Sequence, residues 1–235
     1  MLDHIRRRRV LVAALAGAAF AALGITLASS RAAAGGKPPE LLGSSKAAAP
    51  LRAGVAYHAA VFPLPLRVTA PEGGWIGNQY RTFSHGRPLF AWVQLARAGV
   101  RGLATIETAY GPTPSVAATI ARLRIGGSHL PDEHIGGTTF QEPTPVRVAG
   151  YSGQQFDGNV WGIYGRTFVP FTPKTHGASP ADHIYVGKDE AFRIIALNVR
   201  GKTVVLTLES AELPAEQFPA FLDSASRLLA SIRLS

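Results

Sequence analysis

Residues 191–210 read AFRIIALNVRGKTVVLTLES and residues 215–234 read AEQFPAFLDSASRLLASIRL, and together they decide the fold. From Ile194 to Val199, apolar side chains fall on both faces of the chain, which is typical of a strand inside a covered sheet. The run 203–209 is rich in β-branched residues and is predicted to be its antiparallel partner. A two-residue turn and a longer loop with a bulge both fit Arg200-Gly201 between them.

The second stretch predicts an amphipathic helix that begins near Glu216. Its apolar residues form a single stripe at helical spacing: Phe218, Phe221, Leu222, Ala225, Leu228, Leu229 and Ile232. Pro219 is tolerated because a residue in the first turn needs no partner for its backbone N–H. Burying each of these side chains contributes about 1.5–3 kcal/mol, so the stripe favours core packing over docking of a partner.

Composition and charge exclude several classes of function. The chain has 235 residues, no Cys, 25 Gly, 17 Pro and a formal net charge of +9. Without Cys there are no disulfides, thiol chemistry or thiolate metal sites. Residues 1–36 contain five Arg and one Asp, which leaves a net charge of +5 on the rest. Because the basic residues are scattered, no nucleic-acid partner is predicted, and the mild charge suits weak attraction to anionic lipid or wall polymer.

The N-terminal region has the pattern of an export segment. Arg6 to Arg9 precede Val10–Ala28, a run of 19 residues without charge. A basic segment, an apolar run and small residues after it are typical of a secretory signal, and the run is also long enough to span a bilayer. Residues 1–36 are therefore predicted to be a signal peptide or a membrane anchor. The protein is expected outside the cytoplasm, secreted or tethered to the outer face of the cytoplasmic membrane through Val10–Ala28.

The remaining chain is predicted to be one domain after a linker. Residues 37–56 are rich in Ala, Gly, Ser and Pro and are predicted to be flexible, and residues 57–235 form the domain. Residues 62–68 alternate as a strand, which Pro63 and Pro65 would confine to a sheet edge. With further strands, a hairpin about Gly150 and a helix begun by Thr113-Pro114, the order predicts an α+β fold. Its antiparallel sheet has about six to eight strands and is flanked by helices.

Three stretches resemble the PsbP-like (LpqN-like) domains of small exported actinobacterial proteins. They are FPLPLRVTAPEGGW at 62–75, VRVAGYSGQQFDG at 146–158 and the closing hairpin before the last helix. The resemblance implies an α/β/α sandwich and a non-catalytic binding or accessory role, and it supplies no catalytic residues. Many such proteins are lipoproteins, but this chain lacks the lipidated Cys. No cofactor is predicted.

The densest set of metal-ligand side chains lies in the predicted loop 126–145. His129, Asp132 and His134 offer nitrogen and oxygen donors of the kind that zinc needs, although not at the HExxH spacing. A solvent-exposed polar loop explains the same residues. A metal-dependent or other extracytoplasmic hydrolase is therefore the alternative function, and a membrane-tethered structural protein is a second alternative.

Aromatic residues beside Gly and Pro turns are the candidates for ligand binding. Most aromatic side chains are expected in the core, but Trp75 and Trp161 are predicted to line a groove for a hydrophobic ligand or a partner. The sequence thus predicts an exported, non-catalytic ligand-binding or protein-interaction module of the cell envelope. Its partner is an envelope protein or a small or hydrophobic ligand.

Overall fold

The computed structural model describes residues 48–59, 62, 64–84, 87–97, 100–107, 115–125, 136–163, 165–168, 184–210, 213 and 215–234. All of them belong to Glu40–Ser235, the second of two compact units of the chain. Within these residues there are three sheets, all antiparallel, and two α-helices. The predicted α+β class with an antiparallel sheet is confirmed.

The strands and helices follow one another in a strand-rich order. They are β1 (Ala49–Pro50), β2 (Ala56–Ala59), β3 (Leu66–Thr69), β4 (Trp75–Ser84), β5 (Arg87–Arg97), β6 (Val100–Glu107), α1 (Val116–Ile125), β7 (Gly136–Phe140), β8 (Thr144–Val148), β9 (Tyr151–Gly162), β10 (Arg166–Phe168), β11 (Ile184–Val186), β12 (Ala191–Val199), β13 (Lys202–Glu209), a 3-10 turn (Ala215–Gln217), α2 (Phe218–Ser231) and β14 (Arg233–Leu234). The main sheet has nine strands in the order β1-β4-β5-β6-β13-β12-β9-β7, with β8 also paired to β9. Two smaller sheets, β10-β11 and β14-β3-β2, complete the described fold.

The closing hairpin forms as predicted and lies inside the main sheet. Strand β12 pairs with β13 on one side and with β9 on the other. Arg200 and Gly201 have positive φ angles of 54° and 79°, and Val199 pairs with Lys202. This is the geometry of a two-residue turn, so the longer loop is excluded. The Gly201 N–H donates to Asn198 Oδ1 at 3.0 Å, which supports the turn.

Helix α2 confirms the predicted stripe but buries it unequally. Phe218, Phe221, Ala225, Leu228 and Ile232 are buried in the core. Leu222 and Leu229 are only partly covered and pack at the core's margin. The stripe is therefore wider than the surface that the sheet offers, and one side of the helix remains open.

The two faces of β12 and β13 have different covers. One face, which we call the α2 face, carries Ile195, Leu197 and Leu206 and packs against α2 and the sheet β14-β3-β2. The other, the phenylalanine face, carries Phe192 and Ile194 and packs against α1 and β10-β11. Each cover is one helix together with a small sheet. The domain therefore contains more sheet than the α/β/α sandwich that the sequence predicts.

Two local predictions differ from the structure. Strand β3 lies between β14 and β2, so the predicted edge position is wrong. Pro63 and Pro65 precede the strand and therefore remove no N–H from its ladder. Part of the predicted loop 126–145 is strand β7, in which Gly137 pairs with Trp161. A side chain at Gly137 would meet the indole of Trp161 at 2.9 Å, so the glycine permits this pairing.

The ends of two other predicted segments are also refined. The hydroxyl oxygen of Ser115 accepts the N–H of Ala118 at 3.2 Å and caps α1, whereas the predicted cap Thr113 lies outside the described residues. Strand β1 pairs with β4, and Leu51 after it is buried. The fold thus includes residues within the segment 37–56 that is predicted to be a linker.

Candidate functional site

An open groove of about 590 Å³ lies on the α2 face, between helix α2 and the β8–β9 hairpin. Strands β12 and β13 form its base. Its apolar lining comes from all of these elements: Val146, Val148, Ile195, Leu208, Leu222 and Leu229. The lining also includes three arginines: Arg147, Arg193 and Arg233. The groove thus combines an apolar floor with guanidinium groups.

A tight turn fixes the hairpin side of the groove. Ala149 and Gly150 have φ angles of 54° and 84°, and Val148 pairs with Tyr151, as in a two-residue hairpin turn. Alanine in the left-handed region costs about 1–2 kcal/mol, which the pairing of β8 with β9 offsets. The Arg147 side chain donates from Nε to the Gly150 carbonyl at 3.2 Å. This bond holds the stem of Arg147 beside the turn.

A hydrogen bond brings two of the arginines to the same end of the groove. The Tyr151 hydroxyl, next to the turn, donates to the carbonyl of Leu234 in β14. Arg233, the neighbour of Leu234, and Arg147, close to the turn, both line the groove. The Arg233 guanidinium donates to the Ala230 and Ile232 carbonyls, both at 2.8 Å. Within the described residues, neither Arg147 nor Arg233 has a carboxylate partner.

The third arginine is neutralised by a carboxylate. Arg193 lies opposite Asp157 in the β9–β12 pair, and two hydrogen bonds of 2.6 and 2.7 Å join their side chains. The hydrogen bonds that Arg193 donates to Asp157 raise the pKa of Arg193 above its ordinary value, against the opposing effect of partial burial. Asp157 lies six residues from Tyr151, about 20 Å along β9. The paired and the unpaired arginines thus mark different ends of the groove.

The two predicted ligand-binding tryptophans lie far apart. Trp75 in β4 and Trp161 in β9 are separated by four strands of the main sheet, or about 24 Å. Trp75 is 1% exposed, with its ring centre 6.4 Å from that of Phe221. A ligand could reach it only if the core packing around it changed. Trp161 is 45% exposed and lies beside the exposed Ile163. Binding by either residue stays a prediction, and the structure does not bring them into one site.

The predicted metal ligands His129, Asp132 and His134 lie outside the described residues. Among the residues that are described, no group of three or more His, Asp or Glu side chains is placed to hold a metal ion. The same part of the chain contains no helix long and apolar enough to cross a membrane. Val10–Ala28, the predicted export segment, is outside it.

Sequence reasoning did not find the groove. Its helical side is formed by Leu222, Ser226 and Leu229, which follow one another at intervals of three or four residues, and Arg233 of β14 comes after the helix end. The sequence contains this spacing, but the same spacing predicts that Leu222 and Leu229 belong to the core stripe. Arg147 and Arg193 carry no local signal, because only the pairing of β8, β9 and β12 places them beside the helix.

Two of the solved structures that are similar to this chain are a cyanobacterial PsbP and a mycobacterial LpqN. No family model matches the chain, and no curated protein sequence matches it. The solution structure of cyanobacterial PsbP from Synechocystis sp. PCC 6803 is similar with a TM-score of 0.41 and 10% identity, covering 72% of this chain and 86% of that one. The crystal structure of LpqN from Mycobacterium tuberculosis, involved in cell envelope biogenesis, has a TM-score of 0.26 and 14% identity, covering 80% and 91%. Both TM-scores are below 0.5, and neither likeness supports a function.

Proposed function

We propose that this chain is an exported, non-catalytic ligand-binding module of the cell envelope, and that the groove beside α2 is its ligand site. The observation that carries the proposal is an open cavity of about 590 Å³ with an apolar floor and arginines in its lining. Sites of this size and composition are typical of small-molecule binding. The basic and apolar segments Arg6–Arg9 and Val10–Ala28 support export.

The chemistry of the lining favours binding over catalysis. Guanidinium groups remain protonated in proteins and do not act as bases. Ser226, which also lines the groove, donates its hydroxyl to the Leu222 carbonyl at 2.7 Å. No His or carboxylate is among the described lining residues, so no general base lies beside this hydroxyl. The groove residues are suited to hold a ligand rather than transform one.

Native mass spectrometry of the full chain purified from its own envelope fraction tests the proposal. We expect a bound small molecule that is lost on denaturation. Ala230→Trp should prevent its retention, because Ala230 lines the groove. Ala220→Trp is the matched control, since Ala220 is also an exposed alanine of α2 but does not line the groove. Equal retention by both variants would contradict the assignment of the site, and a protein partner without a small molecule would favour the interaction module.

The hydrolase and the structural protein stay alternatives. A metal ion lost from the full chain on changing His129 and His134 to Ala would favour the hydrolase that the sequence predicts. Partition of the full chain into membranes through Val10–Ala28, with no ligand bound, would favour the tethered structural protein.

A further inference from the structure

We infer that the ligand of this groove is an anionic amphiphile: one carboxylate or phosphate group bound between Arg147 and Arg233, with an apolar tail along α2. This inference rests on the proposed function, because it names the class of ligand for the same groove. There are two reasons. Only one of the three arginines has a carboxylate partner among the described residues, and the apolar lining extends along α2.

The charges select the end of the groove for the anionic group. Asp157 already satisfies Arg193 with two hydrogen bonds, so a second anion there would face a neutral pair. Arg147 and Arg233 bond only to backbone carbonyls within the described residues. Their remaining N–H groups are free to donate, and a carboxylate or phosphate is the acceptor that guanidinium binds most strongly.

The neighbouring sheet increases the positive potential at this end. Arg233 in β14 lies directly opposite Arg67 in β3, and both side chains are exposed. Like charges in such a cross-strand pair repel each other. The structure gives Arg67 no ion pair with any described residue. An anion bound beside Arg233 would therefore relieve a repulsion that the free protein retains.

The apolar lining selects an extended hydrophobic tail. Leu222 and Leu229 are the two half-covered residues of the α2 stripe, and they face the groove above Ile195 and Leu208. From Leu222 to Ala230 the helix side of the groove extends about 12 Å, at 1.5 Å per residue. Covering these leucines would complete the burial that the stripe leaves unfinished. A small hydrophilic anion would leave this surface exposed, which is why the ligand needs a tail.

Calorimetric titration of the full chain with dodecyl phosphate, below its micelle concentration, tests the inference. Dodecyl phosphate should bind, whereas inorganic phosphate and dodecanol should bind at least about tenfold more weakly because each lacks one half of the ligand. The double variant Arg147→Gln/Arg233→Gln should also lose about tenfold or more in affinity for dodecyl phosphate. Arg122→Gln, an exposed arginine of α1, is the matched control and should keep full affinity.

The outcomes separate the failure of the inference from that of the proposed function. If Ala230→Trp binds dodecyl phosphate as well as the parent chain, the groove is not the site and both fail. If Ala230→Trp abolishes binding but dodecanol binds as tightly as dodecyl phosphate, the groove is a ligand site and the anionic inference fails. If phosphatidylglycerol vesicles bind the chain while dodecyl phosphate does not, the arginines contact a membrane surface and the single-molecule ligand is excluded.

Discussion

The phenylalanine face and the α2 face cover the same two strands, but the first is filled by aromatic rings around Phe192 and the second has a groove beside α2. On the phenylalanine face, Phe192 meets the rings of Phe140, Phe156 and Phe168 with centre distances of 5.1–6.2 Å. Gly158 admits Phe192, whose ring would lie 2.5 Å from any added Cβ. On the α2 face, the helix covers the strands with one side and leaves the groove at the other. Aromatic residues from separate strands fill the space around Phe192, whereas one helix leaves a groove on the opposite face.

This difference separates the residues that stabilise the fold from those that line the proposed binding groove. The phenylalanine face contains rings at tilted and edge-to-face angles, an arrangement that adds to their burial energy. The α2 face has half-covered leucines and charged side chains, which contribute less to folding and remain accessible. Mutations on the two faces should therefore affect stability and ligand binding in opposite proportions.

The largest expected loss of stability comes from a mutation on the phenylalanine face. Phe192→Ala should lower the free energy of unfolding by about 3–5 kcal/mol, because it empties the centre of the ring cluster. Leu229→Ala on the α2 face should cost only about 1 kcal/mol, since that side chain is only partly buried. Urea denaturation of both variants measures the comparison. Equal losses would contradict the view that the α2 face is only partly packed beside the groove.

The next effect concerns the ion pair in the groove. Asp157→Asn should cost about 1.5–3 kcal/mol, because it leaves a partly buried Arg193 without its charged acceptor. Asp189→Asn is the control: the Lys188–Asp189 pair is exposed at 3.5 Å, and Asn tolerates the positive φ of residue 189. Chemical denaturation should show a clear loss for the first variant and almost none for the second. If both behaved alike, Asp157 would not stabilise this end of the groove.

The smallest effect is a dependence on acid pH at the other side of α2. Glu72 accepts hydrogen bonds from Ser224 and Arg227, both at 2.8 Å, and also pairs with Arg97. The Ser224 bond, then the Arg227 bond, lower the pKa of Glu72 from 4.5 to about 2. The carboxylate thus stabilises the fold fully above about pH 4.5, and this contribution is lost as the pH falls toward 2.

Urea midpoints measured between pH 6 and pH 2 check this dependence. Glu72→Gln should be less stable than the parent at pH 6 and should approach it at the acid end. Glu142→Gln, which removes an exposed carboxylate elsewhere, should retain the parent's decline. A constant difference between Glu72→Gln and the parent across the range would exclude Glu72 as the titrating group.

The parts of the fold that were predictable have local causes. The alternation in β12 and β13 and the spacing of the α2 stripe follow from burial, which local sequence patterns report. The central position of β3 was missed because it depends on β14, two residues after a helix that give no pattern of their own. The sequence does not predict strand β7, because Gly137 is needed to make room for the indole of Trp161, more than twenty residues later. Neither pairing is visible without the tertiary structure.

The candidate site was less predictable than the fold for the same reason. Trp161 is exposed as expected of a binding residue, but Trp75 is inside the core, and composition alone does not distinguish them. The groove depends on Arg147, Arg193 and Arg233, which belong to three different strands. An arginine in a sequence does not reveal whether a carboxylate will lie opposite it, and this property distinguishes the two ends of the groove.

The hydrogen bond between Tyr151 and Leu234 and the pairing of β14 with β3 also determine at which stage of folding the groove can form. The Thr69 N–H donates to the Ser231 hydroxyl oxygen across 162 residues of sequence. Contacts between such distant segments form late in folding, because a long loop must close first. Under the proposed export, a chain that emerges in sequence order would have most of its sheet outside before the groove was complete. Ligand capture would then report that the whole domain has folded.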